Sequence, residues 1–281
     1  MTQSAVSHAI KALEEDLACR LVDRVGKRIR LTASGEQFLA HAESILREMH
    51  AARSAIQGGP GGEAGVLRVG AGTTACQYLL PGVIAEFRSG FPRCSVALEP
   101  GDQARQLELL RGGHVDLAFL IEPAAENLDD LILAPLFEDE LRLIVSPRHP
   151  WARLAGGPGE ALATGTLILT GRKGHTLRLV TEYFRQERTE PGTVIALDSI
   201  EAAKETAKLE LGAAILPPWV VSQELASGAL VSVPLGRRRL RRQWSIAYWK
   251  GRHLTPVLQA FVGLCETASK GLGSREMAAA G

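Results

Sequence analysis

No helix or strand is expected to run through residues 58–65, Gly-Gly-Pro-Gly-Gly-Glu-Ala-Gly. Glycine loses the most conformational freedom on ordering, and proline removes a backbone donor. The run reads as a flexible linker that divides the chain into two parts. Before it, apolar residues recur at helical spacing; after it, short apolar strands alternate with helical stretches. With 46% hydrophobic and 22% charged residues among 281, the chain has enough apolar surface for sizeable cores.

The first part opens on a helix, Thr2 to about Leu17. Val6, Ile10, Leu13 and Leu17 are spaced four, three and four, which places them on one face. Thr2 supplies the hydroxyl of an N-cap. The opposite face carries Gln3, Ser4, Ser7, His8 and Lys11, with no acid among them; Glu14, Glu15 and Asp16 follow at the far end. Such a face suits base edges in a major groove, and the Gln3 amide can pair with adenine. A hairpin is predicted over Arg24–Leu31, turning at Gly26-Lys27. Its Lys27, Arg28 and Arg30 carry the charge a wing needs against phosphate or the minor groove. Taken alone, the hairpin fits a solvated basic turn equally well.

Thr32 can cap a second helix, predicted to end near Gln57. Phe38, Ala42, Ile45, Met49, Ala52 and Ile56 are spaced 4-3-4-3-4, a heptad seam widened by Leu39 and Leu46. A seam this short accepts one partner helix. A second copy of the chain would place two recognition helices on a two-fold operator; the alternative is a helix folded onto its own domain.

The stretch TQSAVSHAIKALEEDL…RLVDRVGKRIRLTASGEQFL resembles the DNA-binding half of the LysR-type transcriptional regulators. The resemblance implies the recognition helix and wing of a winged helix-turn-helix at 1–31 and a linker dimerisation helix at 32–57. Thr2, Gln3, Ser4, Ser7 and His8 would then read or flank bases, and Lys11, Lys27, Arg28 and Arg30 would hold phosphate. In that family two helices precede the recognition helix. The true start is therefore expected upstream of Met1, since Val6, Ile10 and Leu13 otherwise lack cover; the rival is a short protein with a defective DNA-binding unit. Ala18 stands where the family usually has glycine, and a left-handed conformation costs alanine about 1 kcal/mol more. Val22 takes a place often held by phenylalanine.

Beyond the linker, strands are expected at Val66–Val69, Cys94–Leu98, Val115–Ile121, Leu141–Val145, Leu167–Leu169, Val194–Leu197, Ala213–Leu216, Leu230–Pro234 and Trp244–Tyr248. Helices are expected at about 75–89, 102–112, 176–186, 200–210, 218–226 and 254–268. Near-continuous apolar strands between helices indicate buried, largely parallel sheets. The fold class is thus α/β: a partial winged helix-turn-helix, a long linker helix, then an α/β domain over 66–269. By resemblance, that domain is a two-lobed effector domain similar to periplasmic solute-binding proteins. The first lobe would comprise 66–137 and 242–269, the second 138–241, with 270–281 as a tail. The phrases LRVGAG, RGGHVDLAF, LRLIVSP and LGAAILP carry this part of the match.

Three stretches end strands just before helices: Gly70-Ala71-Gly72-Thr73-Thr74, Thr170-Gly171-Arg172 and Asp198-Ser199. Helix N-termini at such places favour anions. The resemblance implies effector contacts around Thr73, Thr74, Thr170 and Ser199, and Arg172 offers a fork for a carboxylate. Each residue alone fits a turn or cap equally well. A small anionic metabolite, such as a carboxylate, is the expected effector. The run Gly236-Arg237-Arg238-Arg239-Leu240-Arg241-Arg242 reads as a solvated hairpin tip between two late strands, in preference to a second DNA contact; a role in subunit contacts stays open.

Other chemistry is not indicated. Gly70-x-Gly72 lacks both the third glycine of a dinucleotide site and the lysine of a P-loop, and no G-x-S-x-G or H-E-x-x-H occurs. Cys19, Cys76, Cys94 and Cys265 form no C-x-x-C and read as buried apolar thiols, although some LysR-type proteins sense oxidants through a cysteine pair. No metal or cofactor is expected, and no catalytic residue. The formal net charge of +1 leaves DNA binding to local patches. With no apolar run of about 18 residues and no signal-peptide layout, a cytoplasmic protein is expected, with no membrane partner. Its partners would be double-stranded DNA, a small-molecule effector, and itself as homodimer or homotetramer. The expected function is non-enzymatic: a DNA-binding transcriptional regulator controlled by that metabolite. The alternative is a stand-alone small-ligand-binding protein of periplasmic-binding type, which would need a signal peptide and would leave residues 2–57 without a use. An enzyme on this scaffold would need a nucleophile, metal or cofactor constellation.

Overall fold

The computed structural model describes all residues except 1, 26–27, 58–64, 123–127, 155, 172–173, 252–253 and 279–281. The side chains of 24–25, 28, 40, 44, 47, 50–57 and 273–278 also lie outside the description. The expected Gly26-Lys27 turn and nearly all of the 58–65 linker thus fall outside the described residues; Gly65 already opens a strand.

Helix α1 (Gln3–Asp16) begins where the Thr2 hydroxyl accepts the Ala5 amide at 3.4 Å. It ends in a Schellman pattern, the Cys19 amide donating to Glu14 O and the Ala18 amide to Glu15 O, with Ala18 at φ 49°. Alanine therefore does occupy the left-handed position. Strands β1 (Val22–Val25) and β2 (Arg28–Leu31) form the expected antiparallel hairpin. Glu14 ties it to α1, its carboxylate accepting the Leu21 and Val22 amides at 2.7 and 3.0 Å. These donors, Val22 foremost, hold the Glu14 carboxyl below its usual range. Helix α2 (Ala33–Gln57) starts where Thr32 caps the Gly35 amide at 3.0 Å while donating to the Arg20 carbonyl at 2.7 Å.

The remainder follows in chain order as β3 (Gly65–Ala71), α3 (Thr73–Tyr78), α4 (Leu80–Gly90), β4 (Cys94–Pro100), α5 (Gln103–Arg111), β5 (Leu117–Glu122) and β6 (Leu131–Val145). After two short 3-10 turns come β7 (Thr166–Thr170), α6 (His175–Glu187), β8 (Thr193–Leu197), α7 (Ile200–Lys208) and β9 (Ala213–Leu216). A 3-10 turn at Pro218–Val221 leads into α8 (Ser222–Ala226), β10 (Val231–Val233), β11 (Leu240–Trp249) and α9 (Pro256–Ala278).

The strands lie in the order β4-β3-β5-β11-β6-β9-β7-β8, with β10 also on β6. The expectation of largely parallel sheets needs correcting. Pairing is parallel at both ends but antiparallel at the centre, between β5 and β11, β11 and β6, and β6 and β9. The cause is that the chain passes between the halves along two long strands rather than through helical crossovers. One lobe carries β3–β5 with α3–α5, the other β7–β9 with α6 and α7, and β6 and β11 serve both. The largest buried cluster runs from Phe87 and Phe261 through Trp244 and Trp219 to Ile168, so one core spans the lobes.

Strand β6 begins at Leu131, well before the Leu141 expected from sequence. Pro135 and the acidic Glu138-Asp139-Glu140 break its apolar pattern. Pro135 is tolerated next to the register shift against Trp244/Ser245, and Glu138 and Asp139 pair with Arg241 and Arg242 of β11. The basic run is likewise not a hairpin tip. β10 and β11 both run antiparallel along β6, with Val231–Val233 opposite Leu143–Val145 and Leu240 opposite Leu141, so 234–239 loops between two strands on one neighbour. Three arginines of the run are paired with acids of other elements: Arg238 with Glu187 at 3.1 Å, Arg239 with Glu140 at 3.7 Å, Arg241 with Glu138 at 3.0 Å. Cys94 and Cys265 are buried, but Cys76 is only half-buried and Cys19 is exposed, which corrects the reading of all four as buried thiols. Among the described residues no helix is long and apolar enough to cross a membrane, and no cluster of three or more His, Cys, Asp or Glu could hold a metal ion.

Candidate functional site

The α1 face expected to meet bases is open. Gln3, Ser4, Ser7, His8 and Lys11 are all exposed, and the helix has no buried residue. Thr2 is committed as the cap, with Ser4 Oγ 3.0 Å away. The apolar face is open too: Val6 and Leu17 are exposed, Ile10 and Leu13 half-buried. Arg30 is exposed on β2, whereas Lys27 and the Arg28 side chain lie outside the described residues. On α2, Phe38 and Ala42 are half-buried, while Ile45 and Met49 are exposed, as are Leu39 and Leu46. The side chains of Ala52 and Ile56 lie outside the description.

Between the lobes lies a cleft of about 260 Å³. Thr73 and Thr74 line it from one lobe and Thr170 from the other, with Leu141, Arg242 and Trp244 of the shared strands between them. Ser199 is not among the lining residues. Its hydroxyl accepts the Ala202 amide at 3.2 Å and caps α7, and its neighbours Asp198 and Ile200 line the cleft instead. Arg172 lies outside the described residues.

The helix starts around the cleft differ. α3 and α6 have Gly72 and Gly174 as N-caps and no side-chain cap, so their first-turn amides lack that partner. Gly174 sits at φ 111°, open to glycine but strained for other residues. α5 is capped by Asp102, whose carboxylate accepts the Arg105 amide at 2.9 Å. Asp102 and Asp198 are exposed and place two carboxylates in the lining.

Arg242 is almost fully enclosed. Its Nε and Nη2 donate to Asp139 at 2.8 and 2.5 Å, and its Nη1 reaches Thr176 Oγ1 on α6 at 3.0 Å. Asp139 also accepts the indole N–H groups of Trp219 and Trp244 at 3.0 and 2.9 Å. The guanidinium is therefore neutralised in place, and a ligand would meet a satisfied group rather than a free cation. His175 lines the cleft with both ring nitrogens buried and without a partner. Burial, then Arg178 and Arg242, push its pKa below the usual histidine value, so it is held neutral. Gln106, 1% exposed, donates to the Ala71 and Glu99 carbonyls and leaves Oε1 unpartnered.

Arg242, Trp244, Thr176, His175 and Gln106 do not emerge from the sequence pattern. For Arg242 a signal existed: an acidic triplet inside an otherwise apolar stretch, Glu138-Asp139-Glu140, requires basic partners if it is to be strand.

A helix with an open polar face and a basic hairpin, joined by a long helix to a two-lobed domain with a cleft between its lobes, defines a DNA-binding regulator that responds to a small molecule. Residues 60–270 match the family model for the LysR substrate binding domain, and residues 1–36 that for the bacterial regulatory helix-turn-helix protein, lysR family. The chain belongs to the LysR family of transcriptional regulators. It is 30% identical over 273 residues to the uncharacterized HTH-type transcriptional regulator YeiE of Escherichia coli K12, covering 96% of this chain and 89% of that one. To the HTH-type transcriptional regulator CfxR of Cupriavidus necator it is 29% identical, covering 92% of this chain and 81% of CfxR. A full-length OxyR variant of Pseudomonas aeruginosa superposes with a TM-score of 0.67 at 26% identity, covering 96% of this chain and 89% of that one. The regulatory domain of Synechocystis CcmR, solved in complex with 2-PG, superposes with a TM-score of 0.65 at 24% identity, over 74% of this chain and 98% of that domain. These relatives are named as regulators, and the chain is a regulator rather than an enzyme.

Proposed function

We propose that this regulator reads operator DNA with Gln3, Ser4, Ser7 and His8, holds phosphate with Lys11, Lys27, Arg28 and Arg30, and pairs with a second copy through the α2 seam. A small acid is its effector, bound between the lobe at 66–137 plus 242–269 and the lobe at 138–241. The observation that carries the ligand half is the convergence of Thr73, Thr74, Thr170 and the uncapped first turns of α3 and α6 on one cleft. Hydroxyls and helix amides without a side-chain cap are donors that carry no counter-charge, the environment an acidic group prefers. Arg172 is the further fork in this reading. Asp102 and Asp198 favour an acid that also bears hydroxyl or ammonium donors. Ligand contact with both lobes would bias the angle between them, and the paired α2 helices would pass that bias to the spacing of the recognition helices.

The reading is tested by titrating the full chain with a panel of small acids that includes 2-PG, the ligand in the CcmR structure. Tryptophan fluorescence is the readout, because Trp244 lines the cleft. A saturable change with at least one acid, lost in the Thr73→Ala/Thr170→Ala double variant, is the expected result. A flat response across hydroxy, amino and phosphate-bearing acids sinks the effector reading. The DNA half is tested by binding to the intergenic DNA beside the gene at two salt concentrations, where specific binding with a steep salt slope is expected.

A further inference from the structure

Tyr78, at the end of α3 in the first lobe, reaches three groups of the second. Its hydroxyl donates to Glu201 Oε1 on α7 at 2.5 Å. Its ring stands 5.7 Å from Lys204 Nζ, and it meets the Trp219 indole edge-on at 6.2 Å. Glu201 is held in place from its own side. Lys204, 6% exposed, lies between the Glu201 and Glu224 carboxylates at 3.0 and 2.7 Å. The Glu201 carboxylate therefore waits for Tyr78 in a fixed position and with its charge balanced.

The two helices joined this way are the ones that open onto the cleft. α3 starts at Thr73 and Thr74, and α7 starts beside Asp198 and Ile200, all four of which line it. Elsewhere the lobes are joined through the buried cluster they share and through β6 and β11, two strands that can flex as a hinge. Tyr78 also touches that hinge through one intermediary, since Trp219 donates to Asp139, the acceptor shared with Trp244 and Arg242.

We propose that Tyr78 and Glu201 form a clip that sets the separation of the two lobes, which makes both of them positioning residues for the effector site. The clip is built to open. Glu201 is more than half exposed, and a hydrogen bond that competes with water contributes only modestly, so opening costs a few-fold in population. A ligand that fits the clipped spacing binds a cleft already at the right width. A ligand that needs another spacing must first break the clip and loses affinity by the same factor. The consequence for ligands rests on the effector reading above; the clip itself does not.

The test uses the ligand-free full chain and amide hydrogen exchange. Tyr78→Phe keeps the ring and removes the hydroxyl. It is expected to raise exchange together in α3, in α7 and in the middle of β6, by roughly three- to ten-fold, with α9 unchanged. Glu201→Ala should do the same, while Glu201→Gln, whose amide oxygen still accepts the hydroxyl proton, should keep most of the protection. A rise confined to α3, or an α3 unaffected by Glu201→Ala, overturns the clip. Should Tyr78→Phe lower the midpoint, the Glu201 pair of variants decides alone, because that carboxylate is on the surface. No ligand enters the measurement, so a failed clip leaves the effector reading standing, and a cleft that binds none of the acid panel leaves the clip standing.

Discussion

Asp139 and Arg242 face one another in register on β6 and β11, Nε to Oδ1 at 2.8 Å, with side chains 0% and 4% exposed. Four donors from Arg242, Trp219 and Trp244 end on that one carboxylate. Asp139→Ala leaves a buried guanidinium without its counter-charge and two indole N–H groups without an acceptor, an expected loss of about 3–5 kcal/mol in urea unfolding. Replacing both partners, as Asp139→Leu with Arg242→Met, should cost less than Asp139→Ala alone. A single-variant loss below about 1 kcal/mol would show that the pair does not hold the shared strands together.

His175 gives stability a direction with pH. Burial, then Arg178 and Arg242, lower its pKa in the folded chain, so the unfolded chain binds the proton more tightly. The contribution is complete above the unfolded pKa of about 6.5 and is lost as pH falls below it toward the folded value. His149, lowered first by burial with Glu210 opposing, adds in the same sense. Urea midpoints measured at about pH 7.5 and 5.5 should therefore fall with acid, and less steeply in His175→Gln. If His149→Gln removes the whole slope and His175→Gln none, His175 is not held neutral.

Local features of this fold were legible; long-range partnerships were not. Thr2 and Thr32 cap the helices that their hydroxyls suggest, and Ala18 turns left-handed where a helix end demands it, because caps depend on a few adjacent residues. Thr73, Thr74 and Thr170 reach one cleft because each follows a strand whose apolar run is plain. Residues 131–140 have no such run: Asp139 reads as loop until Arg242, more than a hundred residues later, is placed beside it. The arginine run misled for the same reason, its acids lying on other strands and helices. Ser199 shows the limit of reading a strand end, since cap and ligand contact make the same demand on sequence.

Gly35 holds the DNA-binding half to its long helix. A Cβ there would lie 2.0 Å from the Leu21 carbonyl oxygen, which is backbone and cannot swing away. Gly35→Ala must displace either α2 or the segment leading into β1, and with it the orientation of the wing. The expected outcome is loss of operator binding in a chain whose cleft still responds to ligand. Full operator affinity in this variant would show that the junction tolerates displacement.

Gln3 and Arg30 should fail differently if α1 reads bases and the hairpin holds phosphate. Gln3→Ala is expected to lose about 1–3 kcal/mol on the preferred operator and to relax specificity at one A·T position. Arg30→Ala should weaken all sequences alike and reduce the salt slope by about one. Titrations of both variants on specific and scrambled DNA separate the cases. A uniform loss for Gln3→Ala would move it from base reading to backbone contact.

The α2 seam makes the last claim testable through geometry rather than affinity alone. Ile45 is 62% and Met49 47% exposed, a large apolar cost on an isolated helix that a second α2 would remove. If α2 pairs as proposed, Ile45→Glu places a charge in that seam and should shift the chain from dimer to monomer in sedimentation velocity, with the unfolding of residues 66–269 unchanged. Two tethered recognition helices gain affinity on a two-site operator through effective concentration, on the order of 10²-fold, and gain none on a single half-site. Ile45→Glu should therefore lose that factor on the full operator and nothing on a half-site. Equal losses on both would mean that the substitution damages α1 or the hairpin. An unchanged dimer would place the subunit contact elsewhere than on α2.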